Sequence, residues 1–281
     1  MSQSLLICTD LDRTLIPNGR EPESPGARKW FHKLAALPGV MLAYVTGRDQ
    51  KLVRDAVEAY DLPLPAFVLG DVGSTIYACE GWMWQRWQAW EKHIAPDWGG
   101  RSHAQLASLL AGLPELQLQE EAKQNTHKLS YYVNLGVNHR DLIQTMERRL
   151  QAEGIRASLI WSIDEAADIG LLDVLPARAG KRHAIEFLMN EQGFGLANTV
   201  FAGDSGNDLP VLVSPIPAIL VHNASPEMKR EAQEMAKMAG TESALYLAGG
   251  GLYAMNGNYA AGIVEGVAHY HPAVMARLEG M

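Results

Sequence analysis

The chain has 281 residues, with 24 Lys and Arg against 32 Asp and Glu for a formal net charge of −8, and 47% of it is apolar. Such a chain buries a sizeable core without staples, and Cys8 and Cys79 are too few for a disulfide framework or a zinc site. An acidic balance with no Lys/Arg block excludes a nucleic-acid backbone as partner, no apolar run is long enough for a membrane, and the Met1–Ser4 start lacks a basic leader region, so a reduced, cytoplasmic protein is expected.

Ser4–Thr9 is a short apolar run suited to a buried strand. Ala27–Leu37 has helical spacing and stops at Pro38-Gly39, Val40–Val45 reads as a second strand, Gln50–Tyr60 as a helix and Ala66–Leu69 as a third strand. This order predicts an α/β fold with a doubly wound, mostly parallel sheet, a Rossmann-like core. The pattern changes after Ile76–Tyr77. Trp82 to Trp98 holds five of the seven tryptophans, expected to pack a second unit and its hinge. His103–Leu110 reads as a helix, His127–Leu135 as a half-exposed antiparallel strand, Arg140–Ala152 as an amphipathic helix and Ala157–Trp161 as a strand. From about Asp173 the α/β rhythm returns, with helices at Arg182–Gln192, Pro226–Met238 and Ala260–His269 and strands at Thr199–Ala202 and Ile219–Val221. Gly249–Gly257 reads as a loop. The predicted organisation is a discontinuous core, residues 1–81 and 175–281, interrupted by an α+β cap over 82–174.

Chemistry concentrates where strands end. The first strand runs into Asp10-Leu11-Asp12-Arg13-Thr14, and the strand before Gly203 runs into Asp204-Ser205-Gly206-Asn207-Asp208. In open α/β sheets ligands bind beyond the carboxyl ends of strands, so these carboxylates emerge where a site is expected. Four carboxylates at one edge repel unless a cation balances them, and oxygen donors suit Mg²⁺. Thr46-Gly47-Arg48-Asp49 follows the second strand, where a hydroxyl and backbone N–H could hold phosphate oxygen. Lys181 begins a helix, against the dipole, which hints at a nearby anion. Each feature has a plainer reading alone: a turn for the aspartates, a helix cap for Thr46, a solvated surface lysine for Lys181. His103, His127, His139 and His183 have no metal-ligand spacing.

Together the four segments resemble the signature motifs of the haloacid dehalogenase superfamily, in order. The insert resembles a type C2 cap of the sugar-phosphate phosphatase branch. Val72-Gly73-Ser74-Thr75-Ile76-Tyr77, Lys128-Leu129-Ser130-Tyr131 and Ala261–Tyr270 are similar to segments of sucrose-phosphate phosphatases. Mannosyl-3-phosphoglycerate phosphatases of the same branch tend to show Glu-Asn-Gly where this chain has Asp71-Val72-Gly73. Gly249–Asn258 is extra relative to compact relatives.

The resemblance implies Asp10 as nucleophile, forming an aspartyl-phosphate, and Asp12 as general acid and base. Thr46 and Lys181 would bind the transferring phosphoryl group. Mg²⁺ would lie between Asp10, the main-chain carbonyl of Asp12 and Asp204, with Asp208 in contact or one water away. Asn207 would orient Lys181 or a metal-bound water. Gly47, Arg48 and Asp49, and Lys128, Ser130, Tyr132 and Asn134 along one cap strand, could reach the sugar. The implied reaction is hydrolysis of sucrose 6-phosphate. Alternatives are a glucosyl- or mannosyl-glycerol or -glycerate phosphate, a mutase reaction, or a non-catalytic binding module. Retention of Asp10, Asp12, Lys181, Asp204 and Asp208 argues against the last. A monomer is expected, with a sugar-phosphate synthase as candidate partner.

Overall fold

The computed structural model describes residues 4–164 and 167–280; the first residues of the start examined for a leader lie outside these. Twelve strands are present among the described residues: β1 (Leu5–Thr9), β2 (Val40–Val45), β3 (Phe67–Gly70), β4 (Thr75–Glu80), β5 (Met83–Arg86), β6 (Gln117–Leu118), β7 (Leu129–Val133), β8 (Ala157–Asp164), β9 (Ile169–Pro176), β10 (Thr199–Gly203), β11 (Ala218–Leu220) and β12 (Leu245–Leu247).

Eight form one sheet in the order β12-β11-β10-β1-β2-β3-β4-β5. It is parallel from β12 to β3 and antiparallel from β3 to β5. Strand period two sends Leu5 and Ile7 to one face and Leu6 and Cys8 to the other. The first face packs against Phe31, Val53 and Ile263 from three helices, and the second against Ile185, Leu188 and Val211. Both faces are covered, which is why β1 reads as an unbroken apolar run. The helices after β1 and β2 lie on one face and those around β10 on the other. Strand order therefore reverses between β1 and β10, and the crevice lies beyond their carboxyl ends.

The remaining four strands form an antiparallel sheet, β6-β7-β9-β8. Leu106, Leu110, Leu142, Met146 and Leu150, from the helices His103–Leu110 and His139–Ala152, pack on one face of it with Leu129, Tyr131 and Leu172. At its edge, Ile160 of β8 packs against the core cluster of the large sheet, and a Cβ on Gly206 would lie 3.3 Å from the Trp161 carbonyl oxygen. The small sheet thus overhangs the loop that follows β10.

The partition differs from expectation at residues 83–94. Met83–Arg86 pairs with β4 in the large sheet, and the next helix, Gln88–Ile94, buries Trp90 and Ile94 in the core with Leu6 and Cys8. Gly81, at φ 58°, turns the hairpin, and Trp90 donates to the Gly73 carbonyl at 3.1 Å. Of the clustered tryptophans, Trp98 is the one in the apolar core of the small sheet. Strands β9 and β12 appear where sequence reading marked none. β9 is an apolar run just before the helix bearing Lys181, and β12 is three residues long. Gly249–Gly257 is a loop with one short 3-10 turn, Leu252–Ala254. No helix of the described residues is long and apolar enough to cross a membrane.

The chain passes between the two sheets twice, and one carboxylate binds both passages. Asp97, fully buried, accepts from the Arg178 backbone N–H at 2.7 Å and from its Nε at 3.0 Å, and pairs with Arg156. Burial raises the Asp97 pKa, but the Arg178 and Arg156 interactions outweigh it and hold the carboxyl below its ordinary value.

Candidate active site

Asp10 is the first residue past β1. Its N–H donates to the Ala202 carbonyl at 2.9 Å, extending the β1–β10 ladder by one step, and its Oδ1 accepts from the Leu11 N–H at 2.7 Å. β10 ends at Gly203, where a Cβ would lie 2.5 Å from Asp208 Cγ, so only glycine lets the loop fold back this tightly. Asp208 Oδ2 accepts from the N–H groups of Asp204 at 3.0 Å and Ser205 at 3.1 Å. Its Oδ1 accepts from Lys181 Nζ at 2.7 Å, and that ammonium lies 3.1 Å from Asp10 Oδ2. Lys181, at the start of the helix Lys181–Gln192, is buried rather than solvated. Gly73 sets the helix start, because a Cβ on it would lie 2.5 Å from the Gly180 carbonyl carbon.

Carboxylate oxygens of Asp10, Asp204 and Asp208 lie within 4.8 Å of one another. Burial pushes the Asp10 pKa up to about 7, with Asp208 and Asp12 adding to it and Lys181 opposing. Burial, then Asp208 and Asp10, push Asp204 well above its ordinary value. Burial would lower Lys181, but the two carboxylates raise it. Three buried carboxylates against the Lys181 ammonium and the Arg13 guanidinium, 3.5 Å from Asp204, are short of positive charge, and an all-oxygen donor set fits a hard divalent cation. Asp10 and Asp204 would be its direct donors. Asp208 also holds Lys181 and the loop, and would complete the donor set directly or through one water.

Asp12 stands apart from this cluster. Arg48 grips it with two bonds, Nε to Oδ2 at 2.7 Å and Nη2 to Oδ1 at 2.6 Å, and Asn18 Nδ2 donates to Oδ1 at 2.7 Å. Burial pushes Asp12 up, but the Arg48 bonds and charge, with Asn18, outweigh it and keep the carboxyl below its ordinary value. A cation contact by Asp12 would therefore use its main chain, not its side chain.

Thr46 lies just past β2, buried, its N–H bonded to the Leu69 carbonyl at 2.9 Å and its Oγ1 accepting from the Arg48 N–H at 3.2 Å. A Cβ on Gly47 would meet Val72 Cγ2 at 3.8 Å. Asp49 caps the helix Gln50–Ala59, accepting from the Leu52 N–H at 2.8 Å, so the capping role considered for Thr46 belongs to Asp49. Asn207 Oδ1 accepts from the Ser205 hydroxyl at 3.1 Å.

The small-sheet residues are more internally committed. Ser130 is fully buried and donates to Asp173 Oδ1, while its N–H donates to Gln124. Lys128 is buried, with Nζ 3.9 Å from Asp173 Oδ1. Tyr132 donates to Glu120, and Asn134 accepts from the Gly136 N–H. Asn125 reaches across to the large sheet, donating to Ser74 Oγ at 3.1 Å. Sequence reading passed over Asp71 and Asp173, two carboxylates buried at this junction. Their signal was an Asp inside an apolar strand, Asp173, and an Asp before the Val72-Gly73 turn.

A carboxylate bound to a buried lysine, beside a second carboxylate held separately, at the switch point of a doubly wound sheet beneath an inserted antiparallel unit, is the arrangement that the resemblance to the haloacid dehalogenase superfamily leads one to expect. The model of the family described as sucrose-6F-phosphate phosphohydrolase matches residues 3–271, and the chain belongs to that family. Its class is thereby the phosphoric monoester hydrolases, among the sugar phosphatases. A protein of Nitrosococcus oceani described as a HAD-like hydrolase is 52% identical over 279 residues, 99% of this chain and 75% of that protein. Sucrose-phosphatase 1 of Nicotiana tabacum is 29% identical over 230 residues, 80% of this chain and 51% of its own length, so the chain spans about half of that relative. The sucrose phosphatase of Synechocystis, solved with sucrose and phosphate, superposes with a TM-score of 0.76 at 25% identity, covering 95% of this chain and 98% of that one.

Proposed function

We propose that this chain hydrolyses a disaccharide phosphate, sucrose 6-phosphate first among them, with Asp10 as nucleophile. The observation that carries the reading is Lys181, fully buried and shared between Asp10 and Asp208, next to an Asp12 held outside the cluster. An Asp10 oxygen bonds to phosphorus as the bond from phosphorus to the sugar oxygen breaks, giving an aspartyl-phosphate. Asp12 protonates the departing oxygen and then takes a proton from the water that hydrolyses the intermediate. Its two bonds to Arg48 favour the ionised, proton-accepting form, so donation requires that grip to loosen. Lys181 and Thr46 steady the phosphoryl oxygens. A bound Mg²⁺ would supply the charge that keeps Asp10 and Asp204 ionised beside an anionic substrate.

Sugar selection falls to the small sheet that overhangs the edge. Lys128 carries charge at that junction, and Arg48 borders it from the core. Ser130 is satisfied internally and supports Asp173. Phosphate release from a panel of sugar phosphates, with Mg²⁺ or with chelator, tests the reading. Sucrose 6-phosphate should lead by a wide margin, and chelation should stop turnover. Equal, slow release from the whole panel would refute the substrate. In Asp10→Asn, activity should fall by at least about a thousandfold; a variant keeping most of its rate would show that the nucleophile is another residue.

A further inference from the structure

We propose that Arg13 is a resident counter-cation for Asp204, a positioning residue that holds this carboxylate in place and weakens the site's grip on a divalent ion. The inference rests on reading Asp10, Asp204 and Asp208 as that ion's site.

Arg13 has φ 57°, in the left-handed region that side chains other than Gly, Asn and Asp seldom adopt. Its peptide groups are held from both sides. The N–H donates to Asn18 Oδ1 at 2.8 Å, and the carbonyl accepts from Asn223 Nδ2 at 2.6 Å. Asn223 is itself fixed, accepting from the Tyr259 N–H at 2.9 Å. Segments more than 200 residues away in sequence thus hold one strained residue. Strain that the surroundings over-determine directs attention to the side chain it aims.

That side chain turns back to the carboxylate edge. Its Nε lies 3.5 Å from Asp204 Oδ2, while Thr14 Oγ1 donates to Oδ1 at 2.9 Å. Both Asp204 oxygens are therefore engaged, one by a neutral hydroxyl and one by a cation. With all three carboxylates ionised, Lys181 and Arg13 leave one net negative charge. Without Arg13 there would be two, and a divalent ion would neutralise them outright. Arg13 trades affinity for the cation against affinity for the phosphate dianion that must enter next.

Mn²⁺ binding to the full chain, measured by EPR without substrate at low salt, tests the inference. Arg13→Met removes the charge, Arg13→Gly removes charge and strain together, and Arg13→Lys keeps the charge. Met and Gly variants should bind Mn²⁺ about tenfold tighter, the scale for a unit charge beside a divalent ion a few ångströms away in well-screened surroundings. The Lys variant should stay within about twofold of wild type, and the gap should shrink as salt rises. Unchanged or weaker binding in the Met and Gly variants overturns the inference, as does a Lys variant that behaves like the Met one. No Mn²⁺ binding by the wild-type chain would instead overturn the cation site itself, and this inference with it.

Discussion

The edge of the large sheet and the overhanging face of the small sheet both bury charge, but for different ends. At the large-sheet edge Asp10 and Asp208 share the Lys181 ammonium, and even with Arg13 beside Asp204 the three carboxylates stay short of positive charge. At the small sheet the Ser130 hydroxyl and Lys128 both turn to Asp173, and the same ammonium acts on the buried Asp71 across the junction, so one cation there serves two carboxylates held by separate strands and turns. A buried polar group costs free energy unless satisfied. Carboxylates gathered within 4.8 Å of one another leave a place for a cation to arrive, whereas Asp173 is tied to its own sheet by the Ser130 hydroxyl.

The most severe test of that contrast is Lys181→Ala. It leaves Asp10 and Asp208 buried with no partner cation, and urea unfolding in chelator should report a loss of about 3–5 kcal/mol. Mg²⁺ should restore part of it, since the cation replaces the missing charge. A variant as stable as wild type in chelator would mean that the carboxylates are protonated and the edge is not short of charge.

Asp97 sharpens the comparison from the hinge side. Its folded pKa lies below the unfolded value near 3.9. The stabilisation it contributes is therefore complete above about pH 4 and fades as pH falls through the lower folded value. Asp97→Asn should destabilise the chain at pH 7 by about 1–3 kcal/mol and flatten the fall in stability below about pH 4. Thermal melts across that range check both, and parallel curves for the two proteins would remove Asp97 from the account.

Val72 gives the smallest effect. It sits at φ 60° and ψ 24°, a conformation a β-branched residue resists, yet its N–H donates to the Thr46 carbonyl at 3.0 Å and so braces the phosphate-side loop. The Glu-Asn-Gly pattern of related phosphatases puts Asn at this place, a residue that tolerates the left-handed region. Val72→Asn should raise stability by about 1 kcal/mol and leave turnover within about twofold. A lower melting temperature would mean that the Val72 side chain contributes more packing than its backbone costs.

Much of the large-sheet edge could be read from the chain alone. Asp10, Thr46 and Asp204 each follow an apolar run, and a strand buried on both faces writes itself as such a run with its functional residue at the carboxyl end. The small sheet was less legible. β9 merged with the approach to Lys181, and residues 83–94 look like part of the insert because a tryptophan-rich hairpin carries no mark of the sheet it joins. Local pattern reports burial and period, not the identity of the neighbour.

By itself the sequence determined the strand-end residues, their order and their charge, because these follow from hydrophobic runs and nearby side chains. Only the tertiary structure decided that Asp12 faces Arg48 while Asp10 faces Lys181, that Asp208 is occupied, that Asp97 binds both passages and that Arg13 turns to Asp204. The side-chain pairings among these join residues 27 to 191 positions apart, and such distances are closed by packing and loop geometry that no local pattern encodes.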